Sequence, residues 1–116
     1  MKYLISQIEF EKLLGFQPLE GDETIPKLVF VYFSANWCGP CKRMDMNAIE
    51  ASVPGATWLK CDIDQNSYTP GYCSVRSIPT IIAVAGKKVI NRITNSNTES
   101  VIAWAKTVAE DIMDSE

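Results

Sequence analysis

The run Leu28-Val29-Phe30-Val31-Tyr32-Phe33 passes directly into Ser34-Ala35-Asn36-Trp37-Cys38-Gly39-Pro40-Cys41-Lys42-Arg43. Six successive apolar or aromatic residues without polar alternation specify a strand covered on both faces, and therefore a central strand with packed layers on either side. The segment after Gly39 continues through Met44, Ala48 and Ile49 as a helix and stops before Pro54-Gly55. The chain thus delivers two cysteines, three positions apart, to the point where a buried strand turns into a helix. Unpaired N–H groups and the helix dipole put partial positive charge beside the first of them, which favours thiolate over thiol. A thiolate is the species that attacks a disulfide, and a second thiol this close can form a ring with the first. Cys38 is the candidate nucleophile and Cys41 the candidate resolving thiol.

Four cysteines also raise the question of zinc. Cys38, Cys41, Cys61 and Cys73 are separated by two, nineteen and eleven residues, and the chain has no histidine. A four-cysteine zinc site comes as two close pairs, and the second pair is missing, so no metal site is expected. Cys61, in the middle of a strand pattern, reads as an inert buried thiol. Cys73 leaves two readings open: an inert thiol, or an exposed one available for oxidation or intermolecular pairing. Asp62 and Asp64 share strand parity with Lys60, but no third group completes an acid–base site with them.

At 116 residues the chain is expected to be a single domain spanning 1–116, with an ordinary globular balance of 47% hydrophobic and 22% charged residues. A net charge of −3 gives no electrostatic footprint for nucleic acid or an anionic membrane. No apolar run reaches membrane-spanning length, and the N-terminal stretch turns polar too early for a signal peptide. The expected compartment is therefore the reducing cytoplasm, where a Cys-x-x-Cys pair is catalytic or metal-binding rather than a structural staple.

Around the central strand the remaining elements follow from pattern. Lys2 to Ile5 reads as an edge strand. Ser6 and Glu9 form a capping box for a helix that turns Phe10, Leu13 and Leu14 to one face and stops at Gly15. The loop from Gly15 to Lys27 is acidic and solvated. Thr57 to Ile63 is a strand, Asp64 to Ser77 holds a short helix or turns, and Thr80 to Ala85 pairs with Lys88 to Ile93 through Gly86-Lys87. Val101, Trp104, Ala105, Val108 and Ile112 mark a last helix with Trp104 in the core and Ser96 and Glu99 as capping candidates. This order predicts an α/β fold, a mixed sheet with helices on both sides.

The string Trp37-Cys38-Gly39-Pro40-Cys41-Lys42 resembles the active-site motif of the thioredoxin family. Lys60-Cys61-Asp62-Ile63-Asp64-Gln65-Asn66 is similar to the family's third strand and the turn after it. Val75-Arg76-Ser77-Ile78-Pro79-Thr80 is similar to the segment that carries its cis-proline. The resemblance implies the thioredoxin fold, a mixed five-stranded central sheet flanked by about four helices. It also implies a cis Ile78-Pro79 bond facing the cysteines, with neighbouring backbone groups able to take an extended substrate as an added strand. Trp37, Gly39, Pro40, Ile78 and Pro79 would form the substrate-binding surface.

Two departures from the family pattern bear on mechanism and shape. Six residues before the first cysteine, where the family usually has a buried aspartate thought to take the resolving cysteine's proton, this chain has Tyr32; Lys60 matches the family lysine beside it. Tyr32 and Lys60 are the candidates for tuning the thiols' pKa, although a phenol with a pKa of roughly 10 is a poor base near neutrality. Met46 stands where many relatives have a helix-kinking proline, which predicts a straight, uninterrupted helix after Cys38.

By resemblance, the function is electron transport and cell redox homeostasis: a protein-disulfide reductase that cycles through a redox-active Cys38–Cys41 disulfide without a bound cofactor. Its partners would be disulfide-containing client proteins and a separate thioredoxin reductase, and the chain itself would be a monomer. A scaffold or binding subunit on the same fold is the competing reading. It is disfavoured because a scaffold has no need of both thiols. A disulfide isomerase or oxidase is a third.

Overall fold

The computed structural model describes residues 1–113. In chain order the elements are β1 (Lys2–Tyr3), α1 (Gln7–Leu13), β2 (Val29–Ser34), α2 (Gly39–Arg43), α3 (Met46–Ser52), β3 (Thr57–Asp62), α4 (Tyr68–Tyr72), β4 (Thr80–Ala85), β5 (Lys88–Thr94) and α5 (Thr98–Met113). The five strands form one sheet in the order β1-β3-β2-β4-β5. β1, β3 and β2 run parallel, whereas β4 is antiparallel to β2 and β5 antiparallel to β4. This is the mixed five-stranded thioredoxin fold.

All six residues of β2 are buried because alternate side chains enter two different cores. Phe30 and Tyr32 face a layer built with Ile49 of α3 and Val101, Ala105 and Val108 of α5. Val29, Val31 and Phe33 face the opposite layer, with Phe10 of α1 and Cys73 at the end of α4. Phe30 stacks on Trp58 with ring centroids 4.3 Å apart and meets Trp104 edge-on at 5.5 Å. Trp104 packs against this core while keeping part of its surface in solvent, where its indole N–H donates to Asn91.

Local chemistry explains most boundaries. Ser6 caps α1 by accepting the Glu9 N–H, and the Glu9 carboxylate reaches back to the Ile5 N–H. Gly15 follows the helix with φ +80°, the left-handed conformation that ends helices cheaply at glycine. The acidic loop after it is anchored through Glu23, which pairs with Lys12 of α1 at 3.0 Å. Gly86 and Lys87 both have positive φ, 59° and 64°, as a two-residue hairpin turn between twisted strands requires.

Two expectations are corrected. The helix after Cys38 is not straight and uninterrupted: it breaks into α2 and α3. Met44 and Asp45 leave helical geometry with ψ 139° and 84°. The Asp45 carboxylate accepts the Ala48 N–H at 3.0 Å and caps α3, while the Asp45 N–H donates to Thr98 Oγ1 at 3.0 Å. A capping side chain and an external acceptor stabilise the break without any proline. The last helix is capped by Asn97, whose Oδ1 accepts the Ser100 N–H at 2.9 Å, and not by Ser96.

Candidate active site

The sheet register brings three separate chain segments to one end of the molecule. β2 and β3 are parallel, with Ser34 opposite Asp62, so the turn carrying Trp37 and Cys38 and the turn carrying Asp64 leave the same edge. β4 runs the other way, with Thr80 opposite Phe33, so the residues just before it arrive where β2 departs. Those residues are Ile78 and Pro79, joined by a cis peptide bond. The convergence at the carboxyl ends of parallel strands is where open α/β sheets place their chemistry.

Cys38 is the N-cap of α2 and is joined to Cys41 by a disulfide. Pro40 lies in the first turn, where a missing N–H costs nothing. A Cβ at Gly39 would meet only the Arg43 guanidinium, at 3.5 Å, an ordinary van der Waals contact. The Cys41 N–H donates to Cys38 Sγ at 3.2 Å, and the same sulfur lies 3.9 Å from the Ile78 carbonyl oxygen. Both cysteines are close to buried, 3% and 5% exposed, so a partner reaches the sulfur only by docking closely.

Beside the disulfide runs an open groove of about 330 Å³, whose walls include Trp37, Ile63, Arg76, Ser77 and Ile78. Trp37 is 65% exposed yet held, because its indole N–H donates to Asp64 Oδ2 at 2.9 Å. Asp64 was not singled out as a site residue by sequence; the available signal was the parallel register that sends both turns off one sheet edge. Of the residues expected at the site, Trp37 and Ile78 line this groove, and Cys38 lies against the Ile78 carbonyl. Gly39, Pro40 and Cys41 follow in α2, and Pro79 is buried next to Ile78.

Tyr32 and Lys60 lie behind Cys41. They are opposite one another across β2 and β3, and Lys60 Nζ is 6.0 Å from the Tyr32 ring centroid and 5.7 Å from that of Tyr3. A cleft on this side is lined by Cys41, Tyr32, Ser34, Lys42, Met46 and Lys60, among others, and none of its lining residues is a carboxylate. Burial pushes the Tyr32 hydroxyl above its ordinary pKa, with a hydrogen bond to Ser34 pulling weakly the other way. At neutral pH it remains a phenol.

The other cysteines stand apart from this chemistry. Cys61 is fully buried, and Cys73 is buried at the end of α4, which favours the inert reading of the two that sequence left open. Burial raises the Cys61 thiol to about 12, helped by Cys73 and Asp62, and the Cys73 thiol to about 11, opposed by Arg92. Among the described residues no group of three or more His, Cys, Asp or Glu is arranged to hold a metal ion. No helix among them is long and apolar enough to cross a membrane.

A closed dithiol at a helix start, set against backbone carbonyl and solvent groove, defines a thiol–disulfide exchange protein. Comparison with known proteins narrows the class. The family model "Thioredoxin" matches residues 20–107. The thioredoxin of Chlamydia trachomatis is 39% identical over 74 residues, covering 62% of this chain and 72% of that protein. The thioredoxin of Mycoplasmoides gallisepticum is 32% identical over 94 residues, 79% of this chain and 85% of the other. Among solved structures, Fasciola hepatica thioredoxin superposes over 100% of both chains with TM-score 0.70 and 25% identity. Plasmodium falciparum thioredoxin shares the fold with TM-score 0.77 at 23% identity, covering 92% of this chain and 98% of its own. The chain belongs to the thioredoxin family. It is a protein-disulfide oxidoreductase whose redox group is its own Cys38–Cys41 pair, and the family uses no bound cofactor.

Proposed function

We propose that the chain works in the reducing direction, as a cytoplasmic protein-disulfide reductase acting through one unit that spans residues 1–116. In the reduced form Cys38 attacks a client disulfide. The Cys38 thiolate bonds to one client sulfur, and the other leaves as a thiolate that takes up a proton. Cys41 then loses its proton and attacks Cys38 Sγ; the Cys38–client bond breaks, the client departs with two thiols, and the Cys38–Cys41 disulfide is left. A thioredoxin reductase returns two electrons to it. The single observation that carries Cys38 as the attacking sulfur is the position of its Sγ, which accepts the Cys41 N–H at 3.2 Å, while the reducing direction rests on the family match. That bond and the start of α2 stabilise a thiolate at Cys38 over one at Cys41.

Trp37, Gly39, Pro40, Ile78 and Pro79 serve as the client-docking surface. Among the described residues no hydrogen bond engages the backbone N–H of Arg76, Ser77 or Ile78, which supports docking of an extended client segment as an added strand. Lys60 and Tyr32 act on Cys41 from behind: Lys60 as a cation near the cleft, Tyr32 as a neutral wall.

The test is the reduction potential of the Cys38–Cys41 couple, measured against a glutathione redox buffer with Cys38→Ser as control. A potential below that of the cytosolic glutathione pool is expected of a reductant. A markedly more oxidising couple would redirect the assignment to an oxidase or isomerase.

A further inference from the structure

The segment from Cys73 to Thr80 lies outside every helix and strand until β4 begins, yet it lines the groove beside the disulfide through Val75, Arg76, Ser77 and Ile78. Such a segment needs an external support to keep its backbone groups aimed at a client. Both of its ends are tied to the same edge strand. At one end Arg92 Nη2 donates to the Cys73 carbonyl oxygen at 2.7 Å, just before Ser74 turns the chain with φ 57°. At the other, Thr80 Oγ1 donates to the Ser77 carbonyl at 2.7 Å and lies 2.7 Å from Thr94 Oγ1. Thr80 has one hydroxyl proton and has committed it to Ser77, so Thr94 is the donor to Thr80. Arg92 and Thr94 are two apart on β5 and so share one face of the sheet, opposite Ile82 and Thr80 in register.

We propose that Arg92 and Thr94 of β5 are positioning residues for client recognition. They fix the two ends of the 73–80 segment, leaving its middle free to pair with an extended client. Neither touches the reacting sulfurs, so their removal weakens docking of a protein disulfide more than the exchange chemistry itself. The inference rests on the reading of residues 75–79 as the docking surface.

The experiment compares single-turnover reduction of insulin and of the small aromatic disulfide 5,5′-dithiobis(2-nitrobenzoate) by pre-reduced protein. The small disulfide has no peptide to add as a strand. Arg92→Met keeps the stem and removes the donor; it is expected to raise the insulin concentration for half-maximal rate about tenfold, the scale of one charge-assisted hydrogen bond. The maximal rate and the small-disulfide rate should fall far less. Arg92→Lys should recover most of the loss, and Thr94→Val should shift the insulin-to-small-disulfide ratio in the same direction. An equal fall with both substrates, or an unchanged ratio in Arg92→Met, would overturn the proposal. Ile78→Glu separates the two layers of the argument. If it leaves the ratio unchanged, the docking surface is misplaced and the proposal falls with it. If it lowers the ratio while Arg92→Met does not, the proposal alone fails.

Discussion

Tyr32 occupies a position behind Cys41 at which a carboxylate would serve as proton acceptor. Its hydroxyl is buried and held above its ordinary pKa, and the cleft it lines contains lysines but no acid. No carboxylate lining that cleft stands ready to take the Cys41 proton. Introducing Tyr32→Asp should accelerate release of the client from the mixed disulfide near pH 7, by about tenfold or more if the new carboxylate acts as a general base. Rapid-quench trapping of the mixed disulfide measures this step, and unchanged or slower release would count against the argument. A second prediction concerns alkaline pH. Cys61 and Cys73 hold their protons to about 12 and about 11 in the fold, whereas an unfolded chain releases them near 8.5. The unfolded state thus binds fewer protons above about pH 8.5, and stability declines from there up through the folded values. Urea denaturation of the oxidised protein at pH 8 and pH 10.5 should show this loss. Cys61→Ala/Cys73→Ala, though less stable at pH 8, should lose less between the two pH values; equal losses would mean these thiols are not its source.

At the scale of elements, the interruption between α2 and α3 is where the fold departs from the sequence pattern. It was invisible in the sequence because one of its two supports, Thr98, lies 53 residues away from Asp45. Only the local support, Asp45 three residues before Ala48, follows a pattern legible in sequence, and no proline marks the break. Asp45→Ala should cost about 1 kcal/mol, typical of a lost N-cap, measurable as a lower urea midpoint with unchanged slope. A value near zero would show that α3 is positioned by packing against α5 alone. The hairpin and central strand were legible for the opposite reason: Gly86-Lys87 and the apolar run of β2 signal through neighbours in sequence. Asp64 and Arg92 were not, since each acquires its role from a segment that only the sheet brings near. The cysteine pair was the most legible feature of all, because its geometry is set by three residues of chain.

For the whole molecule, β2 is the shared wall of two cores, and its register sets both packing and site. Phe30 carries much of one core through Trp58 and Trp104. Phe30→Ala should cost about 3–5 kcal/mol, a large part of the roughly 5–15 kcal/mol that holds a domain together. Calorimetry or urea denaturation gives the value, and a cost below about 1 kcal/mol would mean that the surrounding rings close the space. The indole of Trp37 lies on the docking surface proposed above. A large side chain left mostly in water would ordinarily sample many rotamers and surrender that freedom on each encounter. Its bond to Asp64 settles the orientation once, during folding, so the loss is not repeated at every collision. At Trp37 the proposed docking surface is thus preorganised before any client arrives.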